Sequence, residues 1–326
     1  MLIPILSTLC YGTMALCGGL ALKTIFIDES KEEAEKEIVE TENILKYEYY
    51  PVENISLKVE ENNVIKYMFT EGEKEGLKVA IGQDLQGDTV SINMLDGHLL
   101  IGGMTGGGKS NILNVLITNL IRTYTPNELI LMGCDFAETD VYYFNQYKHF
   151  NKGKVSTNEE QFLSQVEWLE RRMTERAEIL NKSNCRNIIN YNKKHDKKLG
   201  YIIFIIDELV QLTTIKKCKD ELHRIMSKCR KYGIYFILAG QDATKETIGR
   251  CKMNCPQVIG LKTYDETDST TLLGKGHNLQ DITVPGRCKI KNSEGIKETQ
   301  IFYISEDEIE EVLRPYLKES ENNVCV

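Results

Sequence analysis

Residues 98–121, HLLIGGMTGGGKSNILNVLITNLI, decide the fold. The apolar run Leu99–Ile101 reads as a short buried strand. It enters a glycine-rich turn, and beyond Lys109 and Ser110 apolar residues return at near-helical spacing: Ile112, Val115, Leu116 and Leu120, interrupted by Asn114 and Asn119. The turn from Gly103 to Ser110 fits G-x-x-x-x-G-K-[ST]. Its glycines let successive backbone N–H groups point inward at an anion, and the helix that follows directs its positive end at the same place. Lys109 is expected to reach the β- and γ-phosphates of ATP, and Ser110 to hold Mg²⁺. The expected nucleotide-binding residues are Gly103, Met104, Thr105, Gly106, Gly107, Gly108, Lys109, Ser110 and Asn111.

A phosphate loop needs a metal-holding acid at the end of a neighbouring strand. Residues 201–208, YIIFIIDE, supply one. Asp207 is expected to bind magnesium through water, and Glu208 to polarise the attacking water. Two carboxylates after six apolar residues would be costly at a sheet edge without such a task. Residues 237–241, ILAGQ, end another strand on Gln241, placed to sense the γ-phosphate or orient water. The expected catalytic set is Lys109, Asp207, Glu208 and Gln241.

The rest of the chain keeps the rhythm of strand and helix. Further strands are expected over residues 129–135 and 234–241, a long helix over 158–181, and another helix over 221–233 ending on Gly233. Apolar strands alternating with helices imply an α/β fold, a mostly parallel sheet covered by helices on both faces. Residues 98–305 would form this domain, and residues 49–97, with short β-like runs broken by glycines, a small β-rich subdomain before it.

The chain has 326 residues and a net charge of −8, unevenly spread. Residues 28–48 carry nine acids and three lysines, and residues 306–321 seven acids and two bases. Both are expected as solvated flanks, an acidic linker or stalk (28–48) and an acidic C-terminal tail (306–326). Residues 216–252 hold ten Lys/Arg against four Asp/Glu, a candidate surface for a polyanion. Residues 1–22 contain no charged side chain, and about 20 such residues cross a bilayer core as a helix. A cleaved signal peptide would need a basic stretch before the apolar run, where only Met1–Ile3 precede Pro4. The expectation is a single N-terminal transmembrane helix within residues 1–27 and a cytoplasmic domain, because ATP is cytoplasmic. The ten cysteines are scattered without a C-x-x-C pair, as in a reduced cytosolic domain.

Several segments together resemble the FtsK/SpoIIIE family of P-loop motors. They are VAIGQDLQGDTVSINM (79–94), the 98–121 stretch itself, ELILMGCDF (128–136), LERRMTERAEILNKSNCRNIINYN (169–192), IIFIIDELVQL (202–212), SKCRKYGIYFILAGQDA (227–243) and TDSTTLLG (267–274). The resemblance implies a RecA-like fold, a ring of six copies with ATP bound between neighbours, and action on double-stranded DNA. It places Lys245, Arg250 and Lys252, after the Gln241 strand, as candidate DNA contacts. Three family arginines are replaced, by Asp242, by Gln257-Val258 and by Thr270, so Arg230 and Arg172 stand as candidates for the arginine finger. A short motor with one span resembles the coupling proteins of conjugative elements in Gram-positive bacteria, which implies a membrane site, a relaxase and transfer-channel proteins as partners. The alternatives are chromosome partitioning, a protein-export motor of the type VII secretion branch, or a nucleotide-binding scaffold that hydrolyses weakly.

Overall fold

The computed structural model describes residues 65–67, 76–241 and 244–318. Eleven strands form one sheet: β1 (Ile65–Lys66), β2 (Lys78–Asp84), β3 (Thr89–Asn93), β4 (Leu99–Gly102), β5 (Leu129–Cys134), β6 (Val155–Ser156), β7 (Tyr201–Ile206), β8 (Ile234–Gly240), β9 (Gln257–Gly260), β10 (Arg287–Asn292) and β11 (Gly295–Tyr303). The order is β3-β2-β11-β10-β9-β4-β8-β7-β5-β6, with β1 on β11. From β9 to β6 all neighbours are parallel, and from β9 to β3 all are antiparallel.

The helices are α1 (Lys109–Thr123), α2 (Glu159–Lys182), α3 (Ile188–Lys194), α4 (Leu209–Thr214), α5 (Lys216–Met226), α6 (Lys245–Met253), α7 (Glu266–Leu273) and α8 (Glu306–Leu313). The central strands bury both faces, so alternate residues enter two different cores. Ile203, Ile205, Ile237 and Ile101 face α1 and α8, while Ile202, Phe204, Ile206, Phe236 and Leu238 face the α2, α4 and α5 side. Burying each such side chain stabilises by roughly 1.5–3 kcal/mol. That is why this strand set reads as continuous apolar runs rather than alternation.

Asn119, an interruption in the apolar stripe of α1, is buried and fully used. It donates to Ala80 O at 2.7 Å and accepts from the Tyr67 hydroxyl at 2.5 Å, tying α1 to β2 and to the residue after β1. Without those partners a buried amide would cost a few kcal/mol.

Three expectations change. Residues 78–93 do not stand apart as a subdomain: β2 and β3 extend the main sheet through β11. The helix expected over 221–233 spans 216–226 and stops; a 3-10 turn, Arg230–Tyr232, leads to Gly233 at φ +73°. The acidic stretch after residue 305 is not wholly a solvated tail. Residues 306–313 form α8, opened by a capping box between Ser305 and Glu308, with Ile309 and Leu313 buried in the α1-side core. The acids there lie on the outer face of an amphipathic helix, which a charge count alone does not separate from a tail. Residues 1–27 and 28–48 lie outside the described residues. Among those described, no helix is long and apolar enough to cross a membrane.

Candidate nucleotide site

The site forms where β4, β7 and β8 end side by side, with Gly102 opposite Gly240 and Ile206 opposite Leu238. The loop after β4 is moulded on its surroundings. Met104 N–H donates to Lys262 O at 2.7 Å, and Gly286 N–H to Gly107 O at 3.3 Å. A Cβ at Gly103 would lie 2.5 Å from Leu261 Cβ, so no larger residue fits there. Gly108, in the left-handed region at φ +105°, turns the chain into α1 with Gly286 Cα against it. Ile112 N–H is bonded to Gly108 O at 3.0 Å, and the N–H groups of the helix turn before it project from the helix end. That is the geometry of an anion cradle.

Lys109 is buried and reaches across to β7. Its Nζ donates to Asp207 Oδ1 at 2.5 Å and to Asp207 O at 3.2 Å, and lies 3.6 Å from Asp140 Oδ2. Burial raises the Asp207 carboxyl to about 6, with Lys109 pulling it down and Asp140 and Asp135 adding to the rise. Ser110 Oγ donates to Asp140 Oδ2 at 2.5 Å. Among the described residues, no three His, Cys, Asp or Glu side chains gather as a metal cage. A hydroxyl with two carboxylates is the all-oxygen donor set that suits Mg²⁺ when phosphates supply the rest, so the residues fit both ATP and its metal.

Glu208 and Gln241 are brought together. Gln241 N–H donates to the Glu208 carboxylate, 3.2 Å from Oε1 and 3.3 Å from Oε2, and the Thr105 hydroxyl donates to Gln241 Oε1 at 2.6 Å. A continuous chain of hydrogen bonds thus runs from the phosphate loop through the Gln241 strand end to the carboxylate at the start of α4. Asn111 behaves differently from expectation. Its side chain turns to the end of β11, donating to Phe302 O at 2.6 Å and accepting from Ile304 N–H at 3.1 Å, so only its backbone faces the cradle.

The FtsK/SpoIIIE family profile matches residues 62–245, more than half of the chain. The chain belongs to the FtsK/SpoIIIE family. It is 29% identical over 265 residues to the DNA translocase FtsK of Staphylococcus epidermidis, covering 77% of this chain and 33% of that one. The chain thus spans about a third of the length of that curated relative. In fold it is similar to the pCW3 conjugation coupling protein TcpA with ATPγS (TM-score 0.66, 24% identity, 79% of this chain and 75% of that one). It is also similar to EssC (ATPases 2 and 3) from Geobacillus thermodenitrificans (TM-score 0.67, 20% identity, 78% and 51%).

Within this FtsK/SpoIIIE-type fold, the remaining candidates fall away from the cradle. Arg172 lies on α2, paired with Glu175 at 2.9 Å and stacked over Trp168. Arg230 is exposed just before Gly233, beside Gly97, at the edge where β4 and β8 begin. Neither belongs to the cradle of its own chain. Arg250 is exposed on α6, but Lys252 Nζ folds back onto Thr271 O and is half-buried, which lowers its pKa and withdraws it from a surface role. The Lys245 side chain and Asp242 lie outside the described residues.

Sequence reasoning missed Asp135 and Asp140. The signal was available in residues 134–140, CDFAETD, a second strand-terminal acid beside the one at Asp207. Cys134 pairs in register with Ile206, so Asp135 and Asp207 leave neighbouring strands together.

Proposed function

We propose that this protein hydrolyses Mg²⁺-ATP to move double-stranded DNA, working as a membrane-anchored coupling motor in conjugative transfer. The observation that carries the reading is the Thr105–Gln241–Glu208 hydrogen-bond chain. In sequence Gln241 stands four residues before α6, the helix bearing exposed Arg250. Glu208, held by the Gln241 N–H, takes the proton of the attacking water. Lys109 is long enough to exchange Asp207 for phosphate oxygens. Bound Mg²⁺ would supply the charge that neutralises those oxygens, with Ser110 and Asp207 as its protein partners.

Similarity to a protein named as a DNA translocase, 29% identical over 265 residues, supports DNA as the moving substrate. Sequence-independent grip on phosphates needs only a few cations per subunit when copies repeat around a ring. A ring of six would also bring Arg230 or Arg172, both outside their own cradle, to a neighbour's nucleotide. The apolar residues 1–22 support the anchor.

Turnover should rise at least several-fold with duplex DNA, and Arg250→Ala should weaken that stimulation and flatten its salt dependence. ATP hydrolysis indifferent to duplex DNA, together with normal transfer in a Lys109→Ala strain, would sink the reading. Co-purification of the membrane-embedded protein with a relaxase tests the conjugative part.

A further inference from the structure

We propose that Asp140 is a second carboxylate of the Mg²⁺-nucleotide site, acting with Asp207. This rests on the nucleotide reading of the phosphate loop and deepens it.

Asp140 is brought to the loop by a purpose-built turn. Asp135, at the end of β5 and 2% exposed, accepts four backbone N–H groups: from Ala137 at 3.2 Å, Thr139 at 3.0 Å, Val141 at 3.0 Å and Tyr142 at 3.1 Å. Val141, next to Asp140, is fully buried in the α1-side core. The turn is thus clamped on both sides of Asp140, by hydrogen bonds before and after it and by the packing of Val141. A surface acid with no task does not need such support.

What Asp140 touches names the task. Its Oδ2 takes the Ser110 hydroxyl at 2.5 Å and lies 3.6 Å from Lys109 Nζ. These are the two side chains of the loop assigned to the metal and to the phosphates. The Asp140 side chain is 25% exposed, whereas that of Asp207 is 6% exposed. A carboxylate left partly exposed can accept from coordinated water without being stripped of its own. Mg²⁺ gives up its waters reluctantly and is bound through one or two carboxylates plus phosphates, so two acids around the Lys109–Ser110 pair, Asp140 on Ser110 and Asp207 on Lys109, match its demand. Asp140 also holds the Ser110 hydroxyl in one rotamer, which orients that ligand before the metal arrives.

Binding of a fluorescent ATP analogue, titrated with Mg²⁺ and repeated in EDTA, tests the assignment on the full-length protein. In Asp140→Asn the Mg²⁺ concentration giving half-maximal binding should rise about tenfold. Binding in EDTA should stay equal or tighten, because a negative charge near the phosphates has gone. Asp140→Glu should recover part of the shift, and Mn²⁺ paramagnetic resonance on the bound nucleotide should weaken in parallel. A Mg²⁺ midpoint within twofold of the parent in a folded Asp140→Asn protein would overturn the assignment and leave Asp140 a loop residue only. Equal loss of binding with and without Mg²⁺ would overturn it too. If the parent binds no nucleotide at any Mg²⁺ concentration, the nucleotide reading falls, and Asp140's role with it.

Discussion

The two edges of the parallel sheet are opposites. At the edge where β4, β7 and β8 end, polar and charged groups of different strands meet at a cradle: Lys109 on Asp207, Ser110 on Asp140, and Gln241 N–H on Glu208. At the edge where the same strands begin, two titratable groups, His98 and Arg176, are buried and spent on backbone, while Arg230 stays exposed. His98, just before β4, accepts from Phe236 N–H at 3.0 Å on Nδ1 and sits 3.1 Å from Met226 O on Nε2, which fixes the Nε2–H tautomer. Burial pulls its pKa down to about 4. Arg176 donates to Gly200 O at 2.6 Å and to Tyr232 O, capping the turns that feed β7 and β8, and burial lowers its pKa to about 10. Neither residue has a carboxylate among these contacts. One edge keeps its polar groups exchangeable; the other uses them as fixed struts. The difference teaches where substitution should remove chemistry and where it should remove stability.

The largest effect should come from the first edge. Glu208→Gln should lower ATP turnover by roughly 10²–10⁴, the usual worth of a positioned base. Nucleotide affinity should persist and the urea midpoint should barely move; a collapse of stability would erase the contrast between the edges.

Next comes the pH response of the second edge. Because folding depresses the His98 pKa, the unfolded chain binds the extra proton. Its contribution is complete above the unfolded value near 6.5 and is lost as pH falls towards about 4, reaching about 3 kcal/mol. Burial also lowers His149, which adds to the same slope. Urea unfolding against pH should show His98→Gln flattening this acid loss, with turnover per folded molecule unchanged at neutral pH. An identical slope in parent and variant would remove His98 from the struts.

Arg176→Leu should cost about 2 kcal/mol, because two carbonyls lose a buried donor. Thermal unfolding reads it, and Mg²⁺-ATP binding by the folded fraction should not change. The smallest shift sharpens the scale away from both edges. Ser305→Ala breaks the capping box of α8 and should cost about 1 kcal/mol, with no effect on the site.

Much of the site was legible because its signals are local. A glycine pattern between a strand and a helix, and acids after an apolar run, state their purpose within ten residues. The positions of Lys109, Ser110, Asp207, Glu208 and Gln241 follow from it, and so does the parallel half of the sheet, whose strands are apolar on both faces. The antiparallel half was not legible as part of that sheet. Short strands such as Thr89–Asn93 carry no mark of their partner, and β11 unites them with the core from more than two hundred residues away.

The same separation hid the rest. Asn111 reads as a member of the loop, but two backbone groups of residues 302 and 304 claim its side chain. Lys252 reads as one more surface cation, yet Thr271 O draws it inward. Asp140 reads as one acid among many until the Asp135 turn sets it against Ser110. Sequence alone determined which backbone conformations and which charges were on offer, since propensity and periodicity act over a few residues. The tertiary structure decided which charges meet, because a hydrogen bond is worth its energy only within about 3 Å, and that distance is set by the packing of strands far apart in the chain.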